Sequence, residues 1–166
     1  MTRRTASLLL ALCLVSAAHA EAKMQTVYLI RHAEKAAGPG RDPALSPAGR
    51  ARAERLPVRF ADALPAAVFA SEFRRTQQTA RPLALAAGVP IRMLPAATAT
   101  DALLARLCAL PDGAGAVVFG HSNTLPALAQ AWSGQPTPMM AEDDYGQVYV
   151  LRLADCRVTE MRSERY

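Results

Sequence analysis

Short apolar runs alternate along the chain with longer segments whose apolar positions recur every three or four residues. The short runs are rich in β-branched or aromatic residues, which predicts strands buried on both faces, as in a parallel sheet covered by helices. They are residues 25–30, 67–70 and 116–119. The helical segments are residues 47–63, 74–87, 100–110 and 124–132. This alternation predicts an α/β fold, a three-layer sandwich with a mostly parallel central sheet and helices on both faces.

Local signals mark where several of these elements begin and end. Ser46 before Pro47 is typical of an N-cap followed by proline at the first helical position. Gly88-Val89-Pro90 predicts the end of the second helical segment. Residues 148–153 and 157–161 form two further apolar runs, and we expect them to pair as a β-hairpin at the C-terminus.

The first twenty residues have the order of parts found in a secretory signal peptide. Arg3 and Arg4 give a basic start, residues 8–15 are apolar, and residues 18–20 read Ala-His-Ala. This predicts cleavage after the A-x-A motif and export, to the periplasm or out of the cell. The apolar part is shorter than the roughly 20 residues that a membrane span needs, so we expect no stable membrane insertion after cleavage.

Cleavage would leave residues 21–166 as one domain, since 166 less the first 20 gives 146 residues. Two arginines leave with the signal, so the formal net charge falls from +5 to +3. The arginines are scattered and aromatic residues make up only 5% of the chain. This small excess of positive charge disfavours nucleic acid as a partner and is at most a bias toward small anionic substrates.

Two cysteines, Cys108 and Cys156, remain in the predicted mature chain. A disulfide between them would suit an oxidising compartment. Cys108 also lies in a helical pattern among leucines, where a buried free thiol is equally natural. The sequence leaves both alternatives open.

The mature chain would keep two histidines, His32 and His121, and each directly follows a predicted strand. Because the carboxyl ends of parallel strands share one edge of the sheet, where ligands bind, we expect the two side chains to converge there. A structural role is the commoner one for a single histidine at a strand end. The position of both at strand ends favours a functional site.

Adjacent arginines follow the strand between the histidines. The segment SEFRRTQQTA, residues 71–80, begins where that strand gives way to a helix, and it carries Arg74 and Arg75. Guanidinium groups bind phosphate in bidentate fashion, and a helix N-terminus adds backbone N–H donors. We expect one arginine of the pair to be solvated and the other to join Arg31 in a cationic pocket suited to a phosphoryl group.

Four segments in order, RHAEK, LSPAGRARAERL, SEFRRTQQTA and GHSNTLPAL, resemble the histidine phosphatase superfamily, also called phosphoglycerate-mutase-like, over residues 26–150. The resemblance implies that His32 attacks phosphorus and forms a phosphohistidine, which water then hydrolyses. It implies that Arg31 and Arg75 hold the phosphoryl oxygens and that His121 donates to them. Arg75 is preferred to Arg74 because of its spacing from Ser71. No metal or cofactor is implied.

The resemblance leaves the general acid open, although the leaving oxygen needs a proton. Larger family members carry a carboxylate after the second arginine motif, where this chain has Asp101; that residue is equally well explained as a first-turn or N-cap residue of a helix. Glu34 is the second candidate. Some small members lack the acid and act on substrates with good leaving groups, such as phosphohistidine. Ser122 and Asn123 either cap the helix after His121 or contact the phosphate.

The sequence departs from the family pattern at Ala33, where glycine is common, and at Arg52, where glutamine often lies. Residues 143–145 either border the pocket or belong to a polar loop. We therefore expect an exported phosphatase acting on a small phosphomonoester or phosphohistidine. Two alternatives remain: a metal-dependent hydrolase using His32, His121 and a carboxylate, and a non-catalytic module that binds phosphate or anionic glycans.

Overall fold

A six-stranded sheet lies between two layers of helices in the computed structural model, which describes residues 21–95, 98 and 100–166. The predicted signal peptide, residues 1–20, lies outside the described residues. The strands are β1 Met24–Arg31, β2 Ala67–Ser71, β3 Ile91–Leu94, β4 Gly115–Gly120, β5 Gln147–Ala154 and β6 Arg157–Arg165. The helices are α1 Pro47–Ala53, α2 Leu56–Arg59, α3 Arg74–Ala87, α4 Thr100–Cys108 and α5 Thr124–Ser133. None of these helices combines the length and apolar character needed to cross a membrane.

The strand order is β3-β2-β4-β1-β5-β6. The four strands from β3 to β1 are parallel neighbours, whereas β5 runs antiparallel to β1 and β6 antiparallel to β5. The expected mostly parallel sheet and C-terminal hairpin are confirmed. Because β4 lies between β1 and β2, the carboxyl ends of these three strands are adjacent.

Both faces of the sheet are apolar, which explains why the strands appear as continuous apolar runs. On β1, Val27 and Leu29 belong to a core cluster completed by leucines of α4 and α5. Ile30 points to the opposite face and packs in a second cluster that includes Leu56 of α2 and Leu83 of α3. The three-layer arrangement predicted from the sequence is therefore confirmed.

The structure differs from the predicted elements in two places. The helix expected over residues 47–63 is divided into α1 and α2, and Pro57, in the first turn of α2, has no N–H to donate to a preceding turn. β3 was missed because it has four residues, two of them exposed, and it pairs only with β2 at the edge of the sheet. A short, half-exposed edge strand lacks the apolar run that identifies its buried neighbours.

The helix ends follow the local signals. The Ser46 hydroxyl accepts a hydrogen bond from the Gly49 N–H at 3.0 Å, which satisfies one free donor at the start of α1. Gly88 ends α3 in the left-handed conformation, with φ of +66°, a conformation that glycine adopts without steric cost.

Two glycines let helices approach the chain beside the strand ends. A Cβ on Gly49 of α1 would overlap the backbone carbonyl of Glu34, three residues after β1. A Cβ on Gly120 would lie 2.6 Å from the Leu125 side chain of α5. Without side chains at these positions, α1 and α5 can lie directly against the edge where β1 and β4 end.

The Cys108–Cys156 disulfide is formed, which decides between the two alternatives that the sequence left open. It joins the last residue of α4 to the turn between β5 and β6, with 5.4 Å between the two Cα atoms. The bond therefore ties the helical layer to the C-terminal hairpin.

Candidate active site

Three adjacent strand ends bring the predicted site residues together. Arg31, the last residue of β1, is in register with Gly120, the last residue of β4. The His32 N–H donates to the Gly120 carbonyl at 2.9 Å, so His32 and His121 leave the sheet side by side. On the other side of β4, β2 ends at Ser71, three residues before α3 begins.

His32 is held as a neutral imidazole with a defined tautomer. Its side chain is buried, with only 4% of the residue exposed. Nδ1 lies 2.8 Å from the Ala33 carbonyl, which can only accept, so the proton lies on Nδ1 and the lone pair on Nε2. Burial, together with the nearby His121 and the charges of Arg75 and Arg31, lowers the pKa of His32 to about 4. Nε2 is therefore unprotonated and nucleophilic at neutral pH.

His121 packs beside His32, with 5.2 Å between the ring centres. Its Nε2 lies 3.0 Å from the Ser71 hydroxyl and its Nδ1 lies 3.4 Å from Nη2 of Arg75. Because a guanidinium only donates, Nδ1 accepts, and the proton of neutral His121 lies on Nε2. Burial, followed by the charge of Arg75, lowers the pKa of His121 to about 4.

Arg75, in the first turn of α3, contacts both histidines. Its Nε donates to Nε2 of His32 at 3.3 Å, while its Nη2 faces His121. The Asp42 carboxylate lies 3.6 Å from Nη1 and also accepts from the backbone N–H of Arg74. Arg74 is exposed. The structure thus brings Arg75, and not Arg74, into the cluster, as its spacing from Ser71 predicted.

Arg31 is almost fully buried, with 1% of the residue exposed, and a loop fixes its guanidinium. The loop comprises residues 134–146, between α5 and β5. Nη1 donates to the carbonyls of Ala141 and Asp144 at 2.5 and 2.9 Å, and Nη2 donates to the carbonyl of Glu142 at 2.9 Å. Nε is buried and has no hydrogen-bond partner among the described residues. The loop therefore orients Arg31 and leaves one of its donors for a ligand.

Two aromatic rings flank the cationic cluster, and each contacts one arginine and one histidine. The Phe73 ring lies 4.5 Å from the guanidinium carbon of Arg75 and 5.2 Å from the His121 ring. The Tyr145 ring lies 4.3 Å from the guanidinium carbon of Arg31 and 6.0 Å from the His32 ring. Such cation–π contacts hold the guanidiniums against flat walls. Phe73 was missed by the sequence analysis, although its place between Ser71 and Arg75 was a usable signal.

Glu142 is a second residue that the sequence did not reveal. Ser122 donates to its carboxylate at 2.9 Å, and Nη2 of Arg31 lies 3.6 Å from it. The Ser122 hydrogen bond, followed by the charge of Arg31, lowers the pKa of Glu142. Asn123 occupies the N-cap of α5 without a capping hydrogen bond from its side chain. Asn123 is therefore at the cap position that the sequence offered, whereas the Ser122 hydroxyl bonds Glu142.

The two candidate acids have different surroundings. Glu34 lies close to the site but is held by Arg52, whose Nη2 is 2.7 Å and whose Nε is 2.9 Å from Oε1. These hydrogen bonds lower the pKa of Glu34, which makes it a poor proton donor at neutral pH. Asp101 is exposed in the first turn of α4, and the contacts of the described residues do not join it to the histidine cluster.

The cluster is chemically suited to an anion. In the part of the chain that the structure describes, no three His, Cys, Asp or Glu side chains are grouped as metal ligands. Two neutral imidazoles and two guanidiniums instead lie near one another at the sheet edge. A nucleophilic nitrogen beside fixed cationic donors can attack an electrophilic centre that carries negative oxygens.

Comparison with known proteins finds similarity to one family and a shared fold. The family model for the histidine phosphatase superfamily, branch 1, matches residues 27–101, which include Arg31, His32 and Arg75. No curated protein in the comparison is significantly similar to the chain.

Solved structures of phosphatases share the fold. The protein histidine phosphatase SixA complexed with tungstate is 17% identical, with a TM-score of 0.67 over 84% of this chain and 96% of that one. The mycobacterial glucosyl-3-phosphoglycerate phosphatase is 16% identical, with a TM-score of 0.68 over 87% of this chain and 99% of that one. At these identities the likeness concerns the arrangement of helices and strands.

Proposed function

We propose that the chain is a phosphatase of the histidine phosphatase superfamily, whose family model matches residues 27–101, and that it hydrolyses a small phosphomonoester, or phosphohistidine, through a phosphohistidine on His32. One observation carries the proposal: His32 is buried and neutral, its proton is fixed on Nδ1 by Ala33, and its Nε2 faces Arg75. A nucleophile activated in this way needs no separate base for the first step.

In the first step, the Nε2 lone pair of His32 forms a bond to phosphorus while the bond from phosphorus to the leaving oxygen breaks. The electron pair of the broken bond stays on the leaving oxygen, which takes a proton from an acid or from water. Nε2 must release its hydrogen bond from Arg75 in order to attack, so the phosphoryl oxygens take over the Arg75 donors. The unpartnered Nε of Arg31 is a further donor for them.

In the second step, water attacks phosphorus, the phosphorus–Nε2 bond breaks, and inorganic phosphate leaves. His32 recovers the lone pair on Nε2 and keeps its Nδ1 proton, which it donates to the Ala33 carbonyl. The water proton passes to solvent or remains on the released phosphate, so charge and atoms balance.

His121 can assist both steps through Ser71. The Ser71 hydroxyl lies 3.0 Å from Nε2 of His121, and a hydroxyl both accepts and donates. When a bound phosphoryl group takes the Arg75 donors, Nδ1 no longer accepts from Arg75. Ser71 can then donate to Nε2, and the His121 proton lies on Nδ1. In that tautomer His121 donates toward a phosphoryl group bound by Arg75, as the family resemblance implies.

The identity of the acid affects the substrate class. The pKa values of Glu34 and Glu142 are lowered, by Arg52 and by Ser122 respectively, so both are anionic at neutral pH. Asp101 remains the proposed acid for substrates with poor leaving groups, which would require it to approach the site. Substrates whose leaving group departs without a proton, phosphohistidine among them, need no such approach.

We also propose that the protein works outside the cytoplasm. The basic, apolar and small-residue order of residues 1–20 supports export. The Cys108–Cys156 disulfide supports it independently, because such bonds persist in oxidising compartments.

The first experiment is hydrolysis of 4-nitrophenyl phosphate in excess chelator by the wild type and by His32→Ala. We expect metal-independent turnover in the wild type and none in the variant, together with an acid-labile, alkali-stable phosphoenzyme in rapidly quenched wild-type samples. A phosphoenzyme of that stability identifies a phosphorus–nitrogen bond.

Two results would contradict the proposal. Activity that disappears with chelator and returns with zinc would support the metal-dependent hydrolase. Phosphate binding by the wild type, with no turnover of 4-nitrophenyl phosphate or phosphohistidine, would support the non-catalytic binding module.

A further inference from the structure

A cavity of about 280 Å³ opens beside the histidine cluster, between α4, α5 and the end of β3. His121, Ser71 and Asn123 form its polar end. The remaining lining is mostly apolar and includes Leu94, Leu103, Leu125 and Leu128. The mechanism described above does not use this space.

The cavity is continuous with the proposed phosphoryl site, because His121 and Ser71 belong to both. These two side chains are hydrogen-bonded to each other at 3.0 Å, and His121 also faces Arg75 at 3.4 Å. A phosphoryl group held by Arg75 therefore lies on one side of the His121 ring, and the cavity begins at the same ring. The organic group of a substrate, bonded to a phosphoryl oxygen, can therefore extend from the phosphoryl site into the cavity.

We propose that this cavity is the subsite for the organic part of the substrate and takes a compact apolar group, best an aromatic ring. The proposal rests on the phosphatase function proposed above. The size is suitable: an apolar cavity of roughly 150 Å³ can hold benzene, so a space of about 280 Å³ admits one substituted ring. The described residues that line it include no charged side chain, so a second phosphate would lose hydrogen bonds with water and find no cationic partner. Three threonines, Thr98, Thr100 and Thr124, also line the cavity, but the rest of the lining beyond its polar end is apolar.

The chemistry of the leaving group agrees with the shape of the cavity. An aryl or enol oxygen leaves as a stabilised anion and has little need of a general acid. Three carboxylates near the cluster are engaged by other groups: Asp42 by Arg75, Glu34 by Arg52 and Glu142 by Ser122. A substrate that fills an apolar cavity with an aromatic ring therefore also suits a site in which these three carboxylates are held by other side chains.

Non-hydrolysable phosphonates test the subsite separately from leaving-group chemistry. Calorimetry would compare benzylphosphonate with methylphosphonate on the full chain, and we expect the benzyl compound to bind on the order of tenfold more tightly because its ring is removed from water. Ala127 is an exposed residue of α5 that lines the cavity. Ala127→Leu should abolish the benzyl preference and leave methylphosphonate affinity unchanged.

Ala131→Leu provides the matched control, since Ala131 is exposed on the same helix one turn further on and does not line the cavity. It should keep the full benzyl preference. Leu128→Ala enlarges the cavity and provides a second, independent test. This variant should bind naphthylmethylphosphonate at least several-fold more tightly than the wild type does.

The outcomes separate the subsite from the function. Equal affinity for benzyl- and methylphosphonate in the wild type, or equal losses in Ala127→Leu and Ala131→Leu, overturns the subsite. If in that case the wild type still hydrolyses acetyl phosphate and His32→Ala does not, the proposed function stands without the subsite. If neither phosphonate binds and acetyl phosphate is not hydrolysed, both proposals fail.

Discussion

Arg75 is the residue on which the two histidines converge, and Arg74 beside it offers a matched control. Arg75→Ala removes the donors to His32 and His121 together with the proposed clamp on the phosphoryl oxygens. We expect kcat/KM for 4-nitrophenyl phosphate to fall by about 10²- to 10³-fold, the usual cost of losing a transition-state donor. Arg74→Ala should stay within about twofold of the wild type because Arg74 is exposed.

Arg75→Lys should recover only part of the loss, since an ammonium cannot reproduce the planar fork of a guanidinium. Steady-state kinetics of the three variants, with circular dichroism to confirm folding, provide the measurement. Equal losses in the Arg74 and Arg75 variants would show that general positive charge, and not this geometry, supports activity.

The histidines give a prediction about pH. Both pKa values are lowered from 6.5 to about 4, so the native state resists protonation over that interval while the unfolded chain takes up protons. The stabilisation from neutral histidines is therefore fully present above pH 6.5 and is lost as the pH falls toward 4. We expect the free energy of unfolding to decrease with falling pH across this window.

The same shifts can be observed directly by NMR titration of the histidine ring protons. The resonances that disappear in His32→Asn and His121→Asn identify the two residues, and both should titrate near pH 4. Midpoints near 6.5 in the native protein would mean that neither ring is desolvated as the structure indicates, and the activation of His32 by burial would be wrong.

The sequence alone could place those site residues that lie at or directly after the end of a strand. His32, His121 and Arg31 lie where the apolar runs stop, and Arg75 lies one turn into the next helix, so topology alone placed them together. The contacts of Glu142 and Tyr145 depend on the path of residues 134–146, which carries no periodic pattern. Asp101 was chosen by its place in the sequence order of the family. That order does not specify where an exposed side chain points.

Helix α1 is positioned by the absence of a side chain at Gly49. A Cβ there would overlap the Glu34 carbonyl, which is backbone and cannot move aside on its own. Gly49→Ala should therefore displace α1 and lower the free energy of unfolding by about 1–3 kcal/mol, even though alanine favours helix. Because Arg52 of α1 holds the Glu34 carboxylate, the displacement should also weaken that ion pair.

Gly115→Ala is the control for Gly49→Ala. Gly115 also has an ordinary backbone conformation, and a Cβ there would meet only the Cα of Pro65 at 3.9 Å, a normal contact distance. Urea denaturation should show a much smaller change for this variant. A stabilised Gly49→Ala protein would mean that α1 lies further from the strand end than the structure indicates.

The sequence predicted the strands and helices well where their apolar faces are fully buried, and less well where they are partly exposed. The strands of the sheet interior were found because both of their faces are apolar. β3 was missed because it is a half-exposed edge strand. The single helix expected over residues 47–63 is divided before α2, because Pro57 in the first turn of α2 has no N–H to donate to the preceding turn.

The disulfide acts on the whole molecule because it links two layers that lie far apart in the sequence. Cys108 and Cys156 are separated by 48 residues, a segment that contains β4, α5, the 134–146 loop and β5. Joining the two cysteines reduces the conformational entropy of the unfolded chain. The histidine cluster lies at the opposite ends of β1 and β4 and makes no contact with either cysteine. The bond should therefore affect stability far more than catalysis.

Replacing both cysteines with alanine should lower the free energy of unfolding by about 4 kcal/mol, the chain-entropy value for a closed loop of this length. Urea denaturation of the wild type with and without reductant, beside the double variant, provides the measurement. Reductant should bring the wild type close to the double variant and leave the double variant unchanged. At temperatures where both proteins stay folded, kcat/KM for 4-nitrophenyl phosphate should agree within about twofold.

Two outcomes would contradict this prediction. If the double variant loses activity but not stability, the link between α4 and the hairpin shapes the site. If it loses neither activity nor stability, the bond does not form in solution.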